Sequence, residues 1–244
     1  MSYEPPPSQR DAAPPPTAPA QYSPDGRWYW DGQQWRPVGA PRPAWARPFA
    51  PSDGRSTTAV VFVIVASAAQ PLFFLGYLLV ATAAVGGTGS SVRVAGALVL
   101  GLGELIYVIG LVGAAIAVPM WMHRAFSNLP VLGAQGLRWS PGWAAGGWFI
   151  PFANFVIPYL VLRELRSSSG ASASGLGTGA WWALWIAGGV LTAAASPFTR
   201  SDPTTASLLG LVYTPVYFVA GILFINIVRE ITSQQRARFA QLGA

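Results

Sequence analysis

The sequence predicts an all-α polytopic membrane protein. It has four transmembrane helices, a proline-broken re-entrant or interfacial helical segment, and a small β-hairpin in a disordered N-terminal tail. Three observations lead there. Of 244 residues, 52% are hydrophobic and only 10% are charged, against about 25% charged in a soluble domain. After Arg55 the chain contains five long apolar stretches, and about 20 apolar residues match a bilayer core. The arginines, finally, cluster in a way that distinguishes the two sides of a membrane.

The spans are expected at residues 57–85, 94–122, 180–198 and 206–228, within a membrane domain covering residues 56–230. The fifth stretch, in residues 139–166, contains Pro151 and Pro158 with Asn154 between them. Each proline removes a backbone donor and clashes with the preceding turn. Ser140 suits a helix N-cap and Pro141 a first helical position. Trp139, Trp143, Trp148 and Tyr159 are residues expected at headgroup depth.

If all five stretches cross, nine arginines lie inside and six outside. If the broken segment does not cross, only Arg93 and Arg200 lie outside. Basic flanks resist translocation, so the second arrangement is preferred and an ordinary proline-kinked span is the alternative. Both termini are then cytoplasmic, the chain sits in the cell membrane, and the bilayer is its first partner. The first span serves as an uncleaved anchor, since the opening MSYEPPPSQR has no signal-peptide character.

Residues 1–55 are proline-rich and cannot build a core of their own. They enclose YSPDGRWYWDGQQWRPV, residues 22–38. Asp31-Gly32 is a type I′ hairpin signal, and that loop would place Trp28 opposite Trp35. Pro24-Asp25-Gly26 supplies an earlier turn and allows a third strand near Tyr22. So small a sheet is marginal alone. Trp28, Trp30 and Trp35 are therefore the candidate surface for a cytoplasmic protein partner, with a self-packed tether as the other reading. Residues 231–244 are expected to form a cytoplasmic C-terminal tail.

Cysteine is absent from the sequence, which excludes disulfides, thiolate metal sites and cysteine nucleophiles. No P-loop, H-E-x-x-H or G-x-S-x-G motif occurs. No cofactor and no enzymatic activity are expected. The net charge of +6 comes from arginines along membrane flanks, where anionic lipid attracts them, so nucleic acid is not an expected partner.

Glu104 is the ionisable residue deepest in a span, about 16 Å along the helix from Arg93 at about 1.5 Å per residue. A charged acid there costs at least ~2.5 kcal/mol on insertion scales, so it must be paired, protonated or water-facing. Gln70 and Asn154 complete a candidate intramembrane polar site. The preferred role is a protonated acid bonded to one of them; the sharper one is an ion or proton site. Gly101, Gly103, Gly110 and Gly113 mark the second span for close packing, within the monomer or in a homo-oligomer. Arg124, Asn128, Arg163 and Glu164 form a candidate inner-face cluster, with an Arg124–Glu164 salt bridge expected. The neighbouring His123 is expected to be an ordinary interface residue.

Two linked stretches, WMHRAFSNLPVLGAQGLRWSPGW and WFIPFANFVIPYLVLRELRSSS, carry the order W-x-x-R-A-x-x-N-L, L-G-A, S-P-G-W, P-x-x-N and P-Y-x-x-x-x-E. That order resembles the bacterial membrane family known as domain of unknown function 4328. The resemblance implies a multi-span membrane protein with no assigned activity. The N-terminal island resembles the short Trp-rich motif W-W-D-G-x-x-W of many actinobacterial membrane proteins, a motif that brings no chemistry with it. The leading functional expectation is a non-enzymatic scaffold or regulatory component. The alternative is a small transporter or channel subunit with a site near Glu104 and Asn154.

Overall fold

The computed structural model describes residues 21–26, 28–30, 35–37, 46–86, 89–170 and 176–242. The chain divides into two units, Met1–Arg42 and Pro43–Ala244. The first contains three short strands, β1 (Gln21–Tyr22), β2 (Trp28–Trp30) and β3 (Trp35–Pro37), antiparallel in the order β1-β2-β3. Gly26 at φ 65° closes the turn between β1 and β2, its amide donating to the Ser23 carbonyl at 2.8 Å. The register differs from expectation. Trp30, not Trp28, lies opposite Trp35, while Trp28 pairs with Pro37. Four residues rather than two therefore connect β2 and β3, and these residues, 31–34, lie outside the described ones, as does the disorder expected of residues 1–20.

The second unit is helical. Its long elements are α1 (Asp53–Val85), α2 (Ser90–Asn128), α5 (Leu176–Ala195) and α7 (Pro203–Leu242). All four are long and apolar enough to cross a membrane. Between α2 and α5 the chain makes α3 (Pro141–Gly146), a 3-10 turn at Ala153–Phe155, and α4 (Ile157–Ser168). Neither short helix has the length of a span, because Pro141 and Pro158 both stand at helix starts and Pro151 falls in the turn between them. A four-residue helix, α6 (Phe198–Ser201), bridges α5 and α7.

The 20 residues of α5 extend about 30 Å, the thickness of the hydrocarbon core. By contrast α2 has 39 residues and α7 has 40, so each runs well past that thickness. The overhang gives the expected C-terminal tail a structure: residues 231–242 are the last turns of α7, and Ile231, Thr232 and Gln235 are buried there.

α1 packs most extensively on α2 and then on α7, which also carries α5. The α1–α2 seam depends on glycine. A methyl added to Gly110 would overlap the backbone N and Cα of Ala66, one at Gly113 would overlap the Phe62 ring, and one at Gly103 would press on Phe73. Of the four glycines marked above, Gly103, Gly110 and Gly113 thus serve packing inside the monomer, while Gly101 meets nothing within 4 Å. Gly210 and Gly188 of the other seams hold the rings of Tyr77 and Tyr217 in the same way. The core lies towards one end of the bundle, around Trp121, Phe126, Leu162, Leu165 and Val228, all fully buried.

At the start of α7, Asp202 Oδ1 accepts the amides of Thr204 and Thr205 at 3.2 and 3.1 Å, and Oδ2 accepts the Thr205 hydroxyl at 2.5 Å. These bonds, the Thr205 hydroxyl first, hold its carboxyl below the usual carboxylate range.

Two outcomes are expected. Gly110→Ala forces the backbones of α1 and α2 apart and destabilises the domain by about 1–3 kcal/mol, read as a lower midpoint of thermal unfolding in detergent. A depressed carboxyl stabilises the fold above its unfolded pKa and loses that contribution as pH falls through the folded one. Amide protection at Thr204 and Thr205 should accordingly fall in acid, and Asp202→Asn, a neutral cap, should remove that pH dependence in hydrogen exchange.

Candidate functional site

Two regions of the membrane domain gather the polar residues. The first is the overhanging end, where α2 finishes and α7 continues. Asn128 at the end of α2 is 1% exposed, yet all its side-chain atoms are engaged. Its Oδ1 accepts the Ala50 amide at 3.1 Å, and its Nδ2 donates to the Ala50 carbonyl at 2.9 Å and to Gln235 Oε1 at 3.4 Å. Gln235 in turn donates to the Ala125 carbonyl and to Ser169 Oγ, both at 2.9 Å. One turn earlier on α7, Thr232 Oγ1 accepts Trp121 Nε1 at 3.2 Å. The network joins the segment before α1, the end of α2, the end of α4 and α7.

Beside it, Arg166 of α4 is nearly buried and donates Nε and Nη2 to Glu230 Oε2 at 3.1 and 2.7 Å. Its Nη1 donates to Thr178 Oγ1 of α5 at 3.2 Å. One guanidinium thus fastens three helices. Charge-assisted bonds of this kind are among the stronger ones a protein makes. Arg236 pairs with Asp53, Phe49 stacks on Phe239 at 3.9 Å between centroids, and Arg238 donates to the Ser168 carbonyl at 3.1 Å.

The inner-face cluster expected from sequence, Arg124, Asn128, Arg163 and Glu164, is therefore only partly a cluster. Asn128 stands at its centre. Glu164 does not pair with Arg124: its two oxygens accept the amides of Arg138 and Trp139 at 2.8 and 3.1 Å. Two successive amides converging on one carboxylate satisfy donors ahead of α3 that a distant guanidinium would have left unpaired. Arg163 lies over the Tyr159 ring at 5.9 Å, a cation–π distance. Reading single residues missed Arg166, Glu230 and Gln235. The available signal was that Arg166 lies three residues beyond Arg163, on the apolar side of an amphipathic α4.

The second region is a cavity of about 290 Å³ bounded by α1, α2, α5, α7 and residues 148–154. It is mostly apolar and aromatic, with Gln70 and Asn154 among its polar lining residues. The structure places these two on one cavity and leaves Glu104 out. The packing of Gly103 on Phe73 and of Gly110 on Ala66 puts Glu104 at nearly the depth of Gln70, but its side chain is on the outer face of α2, exposed beside Leu102 and Leu105. Among the described residues no hydrogen bond joins it to Gln70 or Asn154. The helix rotation set by the glycine face explains this. Gly103 and Gly110 face α1, and residue 104 is turned about 100° away from its neighbour at about 3.6 residues per turn.

Asn154 reaches the cavity because α4 runs antiparallel along α5. Arg166 meets Thr178, Tyr159 stacks on Trp182 with centroids 6.2 Å apart, and Phe155 approaches Trp185 at 6.4 Å. At the tip, Phe152 adopts φ 61°, a positive value uncommon for a bulky residue.

Four helices with the length and composition to cross a bilayer define the class, a multi-pass α-helical membrane protein. The chain belongs to the DUF4328 family, a domain of unknown function, whose family model matches residues 87–233. The matched stretch includes Asn154, Arg166 and Glu230 and leaves out α1 and Gln235. No curated protein and no solved structure matches the chain.

Glu230→Leu leaves the nearly buried Arg166 without its carboxylate and is expected to cost roughly 2–3 kcal/mol, since bonds to charged groups contribute about that much. Adding Arg166→Met should restore part of the loss, because an apolar pair replaces a broken ion pair. Equilibrium unfolding of both variants in detergent measures the two effects.

Proposed function

We propose that the protein is a non-enzymatic membrane scaffold or regulatory component, with both termini in the cytoplasm and a partner-binding aromatic sheet at residues 21–37. The observation that carries this reading is how the polar groups of the overhanging end are used. Arg166, Glu230, Asn128, Gln235 and Glu164 hold helices and loop amides to one another. Such a set builds a rigid platform rather than a nucleophile and base poised for chemistry. Trp28 in the sheet is 44% exposed, and tryptophan is enriched among residues that dominate binding surfaces.

Orientation follows from the arginines. Arg55, Arg166, Arg236 and Arg238 make their contacts at the end that holds Asp53 and Glu230. Arg93 in the first turn of α2 and Arg200 in α6 stand at the other end. The basic end is the cytoplasmic one. The broken segment then enters the inner leaflet beside α5 and returns. Its tip exposes Phe149, Ile150, Phe152, Phe155 and Val156, with Phe152 at 85%. A contiguous apolar surface of that kind suits lipid, and the antiparallel α4–α5 contacts supply the direction of descent.

A transport reading draws on the cavity between Gln70 and Asn154, but Glu104 stands outside it, which favours the scaffold. The absence of cysteine makes thiol labelling clean. Thr199→Cys should react with an impermeant maleimide in intact cells, and Gln241→Cys only after permeabilisation; the reverse pattern would overturn the orientation. Deleting residues 1–42 should leave insertion intact and remove the specifically co-purifying partner. Proton or ion flux into vesicles that is lost in Glu104→Gln would replace the scaffold with a transporter.

A further inference from the structure

Asn154 Oδ1 is buried and has no hydrogen-bond partner. An acceptor in that state costs roughly 1–3 kcal/mol, and Asn154 lines the cavity that also receives Gln70. A side chain at the cavity wall therefore carries an acceptor that lacks a donor, and a turn about the soft terminal torsion of Asn154 brings that acceptor to the space. Charged side chains are missing from its lining, which is mostly apolar, so an ionic ligand would enter without a counter-charge and lose its hydration. Rings surround the space from four elements: Tyr107, Trp148, Trp181, Trp185 and Tyr217. Such walls favour a flat aromatic ligand through stacked and edge-on contacts. Leu111 and Phe149 also line it and are themselves exposed, so the cavity opens on the apolar outer surface rather than towards the polar end.

We propose that this cavity binds a neutral lipid-phase molecule whose head is a hydroxylated aromatic ring, the hydroxyl donating to Asn154 Oδ1 and an apolar tail leaving past Leu111 and Phe149. The Gln70 amide stands across the same space and supplies a donor for the oxygen of that hydroxyl. The inference depends on the membrane setting and not on the scaffold reading, so a partner-binding test and a ligand test fail independently.

The experiment uses the full chain in nanodiscs and four probes: 4-octylphenol, octylbenzene, octanol and 4-octylbenzoate. Affinities are referred to each probe's mole fraction in the bilayer. At neutral pH the phenol is uncharged, its pKa being near 10 as for tyrosine. Octylphenol should bind about three- to tenfold tighter than octylbenzene, the range one hydrogen bond supports, and tighter than octanol or octylbenzoate. Asn154→Leu should abolish the preference over octylbenzene. It should also unfold no more readily than the wild type when ligand-free, because it removes an unpaired acceptor rather than a bond. Ala114→Phe fills the cavity and should abolish saturable binding of octylphenol and octylbenzene alike. Equal binding of octylphenol and octylbenzene to the wild type, a preference that survives Asn154→Leu, tightest binding of octylbenzoate, or a destabilised ligand-free Asn154→Leu would each overturn the proposal. If Ala114→Phe does not fold, the Asn154→Leu comparison decides alone.

Discussion

Arg166 reaches Glu230 and Thr178 at the same time, and the placement of the broken segment rests on that reach. A guanidinium nearly withdrawn from water is tolerable only where acceptors surround it. Here the carboxylate comes from α7 and the hydroxyl from α5, so satisfying the charge fixes α4 against both. With the end of α4 set, Ser169 lies where Gln235 can donate to it, and Gln235 brings in Asn128 and the Ala125 carbonyl. Glu164, two residues before Arg166, is then positioned to take the amides of Arg138 and Trp139. Orientation of α3, and with it the path to Asn154, follows from one ion pair.

The apolar part of the domain obeys a different constraint. Side-chain association in a bilayer gains little from the hydrophobic effect, so close backbone approach and shape carry the packing. Gly110 against Ala66, Gly210 against Tyr77 and Gly188 against Tyr217 show two forms of it, backbone on backbone and glycine on ring. Tyr77, in one of these slots, also shares a hydrogen bond with Tyr213 at 2.6 Å. Apolar seams and the polar latch are thus separated along the helices, with the mostly apolar cavity bordered by the broken segment.

Much of this was legible in the residues, and what was not has a physical cause. Span number and the interruption at Pro151 and Pro158 follow from run length and imino chemistry, both local properties. The helices run past the expected spans, because hydropathy stops at the first arginine while a helix continues wherever its backbone bonds and a packed face allow; Ile231 and Gln235 supply that face on α7. Depth paired Gln70 with Glu104, and the proline break added Asn154 to the candidate site. Glu104 was not separable from them by depth alone, since which way it faces depends on the helix rotation that Gly103 and Gly110 impose. Glu164 was assigned a charged partner because composition shows charges and hides backbone amides. The Trp30–Trp35 register escaped because the Asp31-Gly32 signal fixes a turn preference, whereas strand pairing fixes the loop length.

Phe49, Ala50 and Asp53 at the entrance to α1 are held by Phe239, by Asn128 with Gln235 behind it, and by Arg236. Most of these fasteners lie beyond the last span, in the final turns of α7. During biogenesis the leading helix consequently waits, inserted but untied at its base, until the far end of α7 has been made. A chain truncated before residue 235 would retain every span and still lack the closure that joins the entrance of α1 to the last turns of α7.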